Sequence, residues 1–128
     1  MNPSVLVVDD EPMTRNLLRL MLERDGYRIL EAGDGLQALE VVAQEKPDVL
    51  ILDVMMPNMD GITVCERLRA EAETAALPII LLSARTSQDA IRTGLAAGAN
   101  KYLGKPVGRD ELIRTLREVL AAVPQTTD

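Results

Sequence analysis

A chain of 128 residues, 47% apolar and 27% charged, has the length of one domain and enough apolar residues for a substantial core. Its net charge of −6, its 2% aromatic content and the lack of a basic run argue against a nucleic-acid surface, where clustered cations and stacking rings are expected. There is no histidine, which excludes Ser-His-Asp and Cys-His nucleophilic machinery and histidine-ligated zinc, and the single cysteine, Cys65, forbids an internal disulfide.

No apolar stretch approaches the roughly 18 residues of a membrane-spanning helix, and the N-terminus has no signal-peptide pattern. With one cysteine, the expected setting is reducing and cytoplasmic, without a membrane partner.

Along the chain, Ser4 to Val8 is a short β-branched run that closes on Asp9-Asp10-Glu11. Pro12 suits the first turn of a helix, where its missing N–H costs nothing. Leu17, Leu18, Met21 and Leu22 recur at helical spacing up to about Asp25, and Gly26 is a stop. Arg28 to Ala32 reads as a second, more exposed strand. After the Asp34-Gly35 loop, Leu36, Leu39, Val42 and Ala43 mark a helix ending near Glu45, and Lys46-Pro47-Asp48 breaks it.

Val49 to Asp53 then reads VLILD, four aliphatic residues leading into one carboxylate. A continuous apolar run of this kind is a strand buried on both faces, as in a parallel sheet with helices on each side. Asp60 caps a third helix with Ile62, Val64, Cys65 and Leu68 as its apolar positions. Ala70 to Ala76 is a polar loop, and Ile79 to Leu82 is a fourth strand ending at Ser83. Ser87 opens a fourth helix with Ile91, Leu95 and Ala96 on one side, closed by Gly98. Lys101 to Gly104 is a brief fifth strand. After Lys105-Pro106 a last helix runs from about Arg109 to Val123, with Leu112, Ile113, Leu116, Val119 and Leu120 facing the core.

Strand and helix alternate five times without a long linker, which predicts an α/β fold with a doubly wound, five-stranded parallel sheet and right-handed crossovers. Residues 1–123 form the single expected domain, and 124–128 read as a disordered tail or the start of a linker.

In such a sheet all strands end at one edge, where ligands bind. That edge receives Asp9 and Asp10, Asp53, Ser83 and Lys105: three carboxylates, a hydroxyl and an ammonium. Crowded like charges raise one another's pKa unless a cation neutralises them, and Mg²⁺ with oxygen ligands does so. Mg²⁺, Lys105 and Ser83 together would hold the three equatorial oxygens of a phosphoryl group. Asp53 then becomes the nucleophile that forms an acyl phosphate.

These residues carry a resemblance. Asp9-Asp10, the LDVMMPNMDG stretch around Asp53, Ser83-Ala84, Gly98-Ala99 and the YLGKP of Tyr102 to Pro106 occur in the order and spacing of the CheY-like receiver domain of two-component response regulators, from about Ser4 to Leu120. The resemblance implies the flavodoxin-like strand order 2-1-3-4-5 and a regulatory phosphoacceptor, not an enzyme beyond its own phosphorylation and dephosphorylation. Asp53 would accept a phosphoryl group from the histidine of a sensor kinase or histidine phosphotransfer protein, or from a small acyl phosphate. Asp9, Asp10, Asp53 and the backbone carbonyl of Met55 would bind Mg²⁺, with Mn²⁺ as a substitute. Lys105 would contact the phosphoryl group, Ser83 would reorient toward it, and Tyr102 would be the switch aromatic. Met55 and Arg85 stand where the family tunes the lifetime of the phosphorylated state, and Lys105-Pro106 is expected to be cis. Val107 departs from the commoner Phe without removing a catalytic atom.

Each signal has a plainer alternative. Asp53 and the acidic pair can be caps, Lys105 a surface cation, Ser83 a strand terminator and Tyr102 a core cover. Cys65 reads as a buried small hydrophobe, Met55, Met56 and Met59 as packing, and Arg114, Arg117 and Glu118 as a solvated face. The convergence of five motifs favours the switch, whose face built by the fourth helix, fifth strand and fifth helix would control a downstream effector or fused output domain, with a phosphorylation-dependent homodimer as one assembly. The rivals are an aspartyl-phosphate phosphohydrolase, which lacks a second acid at Met55, a receiver-like scaffold that never cycles, and a flavin binder, which Asp9-Asp10-Glu11 would repel.

Overall fold

The computed structural model describes residues 2–122. Five strands and five helices alternate: β1 (Ser4–Val8), α1 (Pro12–Arg24), β2 (Arg28–Ala32), α2 (Gly35–Glu45), β3 (Val49–Asp53), α3 (Gly61–Ala70), β4 (Ile79–Ser83), α4 (Gln88–Ala96), β5 (Lys101–Gly104) and α5 (Arg109–Ala121). All four strand pairings are parallel and the sheet order is β2-β1-β3-β4-β5, the expected doubly wound, flavodoxin-like arrangement. The expected end of the last helix at Val123 and the tail 124–128 lie outside the described residues.

The inner strands β1, β3 and β4 are almost continuously apolar because the sheet separates two hydrophobic layers, whereas the edge strands β2 and β5 are partly exposed. Leu6, Val8, Leu50, Leu52, Ile79 and Leu81 point to one layer, completed by Ala38 and Val42 of α2 and Val64, Cys65 and Leu68 of α3. Val5, Val7, Val49, Ile51, Ile80 and Leu82 point to the other, completed by Leu18 and Leu22 of α1 and Leu112, Ile113, Leu116 and Val119 of α5. Alternation along β1, β3 and β4 sends successive residues to opposite layers, and neither face of these strands is wet. Each fully buried Leu or Ile contributes about 1.5–3 kcal/mol by leaving water. Cys65 is one of these buried residues, and burial pushes its thiol pKa up.

Helix ends follow the cap residues. The side chains of Asp34, Asp60 and Ser87 accept hydrogen bonds from the N–H groups of Gln37, Thr63 and Ala90 and so open α2, α3 and α4. Gly26, with φ +92°, takes the left-handed conformation that ends α1.

Three helix faces differ from the apolar spacing. On α1, Leu18 and Leu22 are buried, but Leu17 is 54% exposed. On α2, Ala38 and Val42 face the sheet, while Leu36 is 53% exposed and Ala43 is also exposed. On α4, Leu95 is 45% exposed, Ala96 is exposed, and Gly94 is the buried residue. The reason on α4 is close approach: a Cβ at Gly94 would lie 2.7 Å from Tyr102 Cδ2 and 2.9 Å from Leu81 Cδ1. The helix turns its smallest residue to the sheet, and the larger Leu95 goes outward. Arg117 also does more than face solvent: with Arg109 it pairs with Asp25, at 3.3 and 3.5 Å, and so ties α5 to the end of α1.

Candidate functional site

Because all strands run in parallel, their carboxyl ends share one edge, and each delivers a polar residue just where its apolar run stops. Asp9 follows β1, Asp53 and Ser83 end β3 and β4, and Lys105 directly follows β5 and is joined to Pro106 by a cis bond. The chain after Asp53 turns sharply back. The N–H of Gly61 donates to the carbonyl of Val54 at 2.9 Å, and a Cβ at Gly61 would collide with the Asp53 carbonyl oxygen and lie 2.9 Å from Val54 Cα. Glycine is required there by contact, and it keeps the start of α3 against the end of β3.

Asp9 and Asp53 are 1% and 5% exposed, whereas Asp10 is exposed. Lys105 Nζ lies between the two buried carboxylates, 2.9 Å from Asp9 Oδ2 and 3.2 Å from Asp53 Oδ1. The other oxygen of Asp9 accepts from the N–H of Glu11 at 2.9 Å, and Asp53 Oδ1 also accepts from the N–H of Met55 at 3.3 Å. Burial holds the Asp53 carboxyl above its ordinary pKa: the charge of Lys105 opposes this, the Asp9 charge adds to it, and desolvation dominates. For Lys105, burial alone would lower the pKa. Its hydrogen bond to Asp9 and the negative charges of Asp53 and Asp9 together outweigh burial, and the ammonium is held above its ordinary value.

Asp9, Asp10 and Asp53 each present a carboxylate oxygen within 4.8 Å of the others. Three carboxylates against one ammonium leave an excess of negative charge and a set of hard oxygen donors. Those donors fit a small divalent cation such as Mg²⁺.

Ser83 is fully buried, and its Oγ accepts from the N–H of Arg85 at 3.1 Å. The Tyr102 hydroxyl donates to the carbonyl of the same residue, Arg85, at 2.6 Å. Both residues expected to report on the site therefore grip one residue of the β4–α4 segment, one through its amide and one through its carbonyl. Ser83 and Lys105 are also joined, since the Lys105 N–H donates to the Ser83 carbonyl at 2.8 Å. Met55 sits beside Asp53 with its side chain half exposed. Arg15 also belongs to the site, and its Nη1 donates to the Asp9 carbonyl at 2.7 Å. Its spacing from Asp9 on a helix carries no motif, so only the fold reveals the contact.

Residues 5–117 match the family model described as the response regulator receiver domain. The chain belongs to that family. Among curated relatives, the response regulator MprA of Mycobacterium ulcerans (strain Agy99) is 45% identical over 120 residues, which are 94% of this chain and 51% of the relative. This receiver chain thus spans about half the length of the curated relatives it matches. Among solved structures, the signal receiver domain of a signal transduction histidine kinase from Syntrophus aciditrophicus has a TM-score of 0.90 at 28% identity, covering 98% of this chain and 96% of that one. The receiver domain of the sensor histidine kinase PA1611 from Pseudomonas aeruginosa PAO1, solved with a magnesium ion coordinated in its active site cleft, has a TM-score of 0.88 at 32% identity, covering 95% and 100%. Among the described residues, no helix of this receiver is long and apolar enough to cross a membrane.

Proposed function

We propose that this receiver is a phosphorylation-dependent switch in which Asp53 accepts a phosphoryl group from a phosphohistidine on a sensor kinase or histidine phosphotransfer protein, or from a small acyl phosphate. The observation that carries this reading is the position of Lys105, an ammonium held 3.2 Å from Asp53 and 2.9 Å from Asp9 at a buried edge with excess negative charge. None of the 128 residues is a histidine, so the donor histidine lies outside them.

Asp53 attacks phosphorus through a carboxylate oxygen as the bond from phosphorus to the donor's imidazole nitrogen breaks. That nitrogen keeps the electron pair, the proton carried on the other ring nitrogen makes the leaving group neutral imidazole, and Asp53 becomes an acyl phosphate. Asp9, Asp10, Asp53 and the carbonyl of Met55 are the groups that would hold Mg²⁺, or Mn²⁺ in its place. Bound there, the ion supplies positive charge to the phosphoryl oxygens. Lys105 supplies a second positive charge, and its raised pKa keeps it charged throughout the neutral range. Ser83 offers a hydroxyl donor once it releases the amide of Arg85.

That release is the coupling step. A phosphoryl group adds about two negative charges and strong acceptors to a buried edge. It draws the Ser83 hydroxyl away from the Arg85 amide and loosens the residue whose carbonyl, in the next peptide unit, holds Tyr102. The equilibrium of the β4–α4 segment then shifts, and with it the face formed by α4, β5 and α5. A downstream effector, a fused output domain or a second phosphorylated copy reads that face. The domain spanning 1–123 is thus regulatory, and its setting is cytoplasmic.

The test is incubation with a small acyl phosphate with and without Mg²⁺, read by intact mass. One phosphoryl group added to the wild type only when Mg²⁺ is present, and none to Asp53→Asn, supports the switch. Equal labelling of both proteins refutes the assignment of Asp53.

A further inference from the structure

We propose that Arg15 is a positioning residue that fixes the aim of Asp10 toward the cation. This inference rests on the metal site assigned above. The oxygens of Asp9 are each engaged: Oδ2 by Lys105, Oδ1 by the N–H of Glu11, and the main-chain carbonyl by Arg15 Nη1 at 2.7 Å. The carbonyl of Asp9 and the N–H of Asp10 belong to one planar peptide unit. Holding that carbonyl therefore fixes the plane from which the Asp10 side chain projects. Asp10 is exposed and has no side-chain partner among the described contacts, so its own packing does not set its direction.

Arg15 is in turn anchored. Its Nε donates to Glu31 Oε1 at 3.0 Å, and Arg19, one turn further along α1, lies 3.5 Å from Glu31 Oε2. Glu31 sits on β2, in register with Val7 of β1 two residues before Asp9. The guanidinium is a rigid planar fork, so one group spans the carboxylate on β2 and the carbonyl beyond β1. A chain of contacts thus runs from the edge strand through Arg15 to the turn that carries the acidic pair. Partners that orient metal ligands in this way typically change metal affinity by 10–100-fold when removed.

Charge and geometry make opposite demands, which decides the test. Arg15 is a cation near the site, so its loss would by electrostatics alone tighten binding of another cation. If it acts by positioning, its loss weakens binding. The experiment measures the Mg²⁺ dissociation constant of the full chain with Mg²⁺ as the only probe, for wild type, Arg15→Ala, Arg15→Lys and Arg19→Ala, with circular dichroism confirming that each variant is folded. The expected result is a roughly tenfold weaker constant for Arg15→Ala. Arg15→Lys, which keeps the charge but cannot grip both partners, weakens binding by less. Arg19→Ala, which removes the same charge from Glu31 without touching Asp9, does not weaken it. Arg15→Ala binding Mg²⁺ as tightly as wild type, or more tightly, overturns the inference, as does equal weakening by Arg19→Ala. A wild type that binds no Mg²⁺ is a different failure, that of the metal site itself.

Discussion

Replacing Lys105 by Met keeps the methylene packing of the side chain and removes the one cation between two buried carboxylates. At an effective dielectric near 20, contacts of 2.9 and 3.2 Å each correspond to about 5 kcal/mol of direct attraction. Most of that offsets the cost of taking the three charges out of water. What remains after mutation is an uncompensated buried pair, for which a loss of about 3–5 kcal/mol is typical. Asp53, already raised by burial, relieves part of this by taking up a proton. The expected loss at pH 7 without metal is therefore about 2–3 kcal/mol, or roughly 10 °C in Tm for a domain of this size.

The sign of the pH dependence is fixed. Without Lys105, the folded-state pKa of Asp53, already raised by burial, rises further, so the folded state binds a proton more readily than the unfolded chain. Stability is then recovered as pH falls through that raised value. Urea unfolding of wild type and Lys105→Met in EDTA at pH 7 and pH 5 measures both effects. A difference below about 0.5 kcal/mol at pH 7, or a deficit unchanged at pH 5, would refute the claim that Lys105 compensates these carboxylates.

Asp53→Asn should raise the Tm of the metal-free protein at neutral pH, because folding disfavours the charged form of Asp53; a fall in Tm would contradict that. The same variant should lose most of the stabilisation that Mg²⁺ gives the wild type, measured by the same melts. Gly61→Ala places a Cβ against backbone atoms of Asp53 and Val54 that cannot rotate away, and should cost about 1–3 kcal/mol by chemical denaturation. Gly94→Ala should displace the Tyr102 ring. With only two tyrosines and no tryptophan in the chain, tyrosine fluorescence reports this, and an unchanged spectrum would speak against the tight α4 packing. Leu81→Ala removes a fully buried side chain between β4 and α4 and should cost about 2–5 kcal/mol.

The runs of β1, β3 and β4 were the most legible part of the sequence, because burial on both faces demands nearly unbroken aliphatic residues. The capping residues Asp60 and Ser87 were legible for a similar reason: one side-chain oxygen does one local job. Helix faces were less so. Leu95 and Leu36 look like core residues by spacing, but the helices present Gly94 and Ala38 to the sheet, since the distance between layers rewards small residues that no apolar count ranks highly. At the site, Asp9, Asp53, Ser83 and Lys105 could be named because each ends or follows a strand, and parallel pairing brings those ends together. The shared grip of Ser83 and Tyr102 on Arg85 was not legible, because it runs through main-chain atoms. The contact of Arg15 with the Asp9 carbonyl escaped for the same reason.

The proposed switch requires that Asp53, and no other carboxylate of the acidic cluster, carry the phosphoryl group. Borohydride reduction of the protein after treatment with acyl phosphate and Mg²⁺ converts an aspartyl phosphate to homoserine, and peptide sequencing by mass spectrometry locates it. Homoserine is expected at position 53 alone. Homoserine at position 9 or 10, or at no position in a protein that binds Mg²⁺, would contradict it.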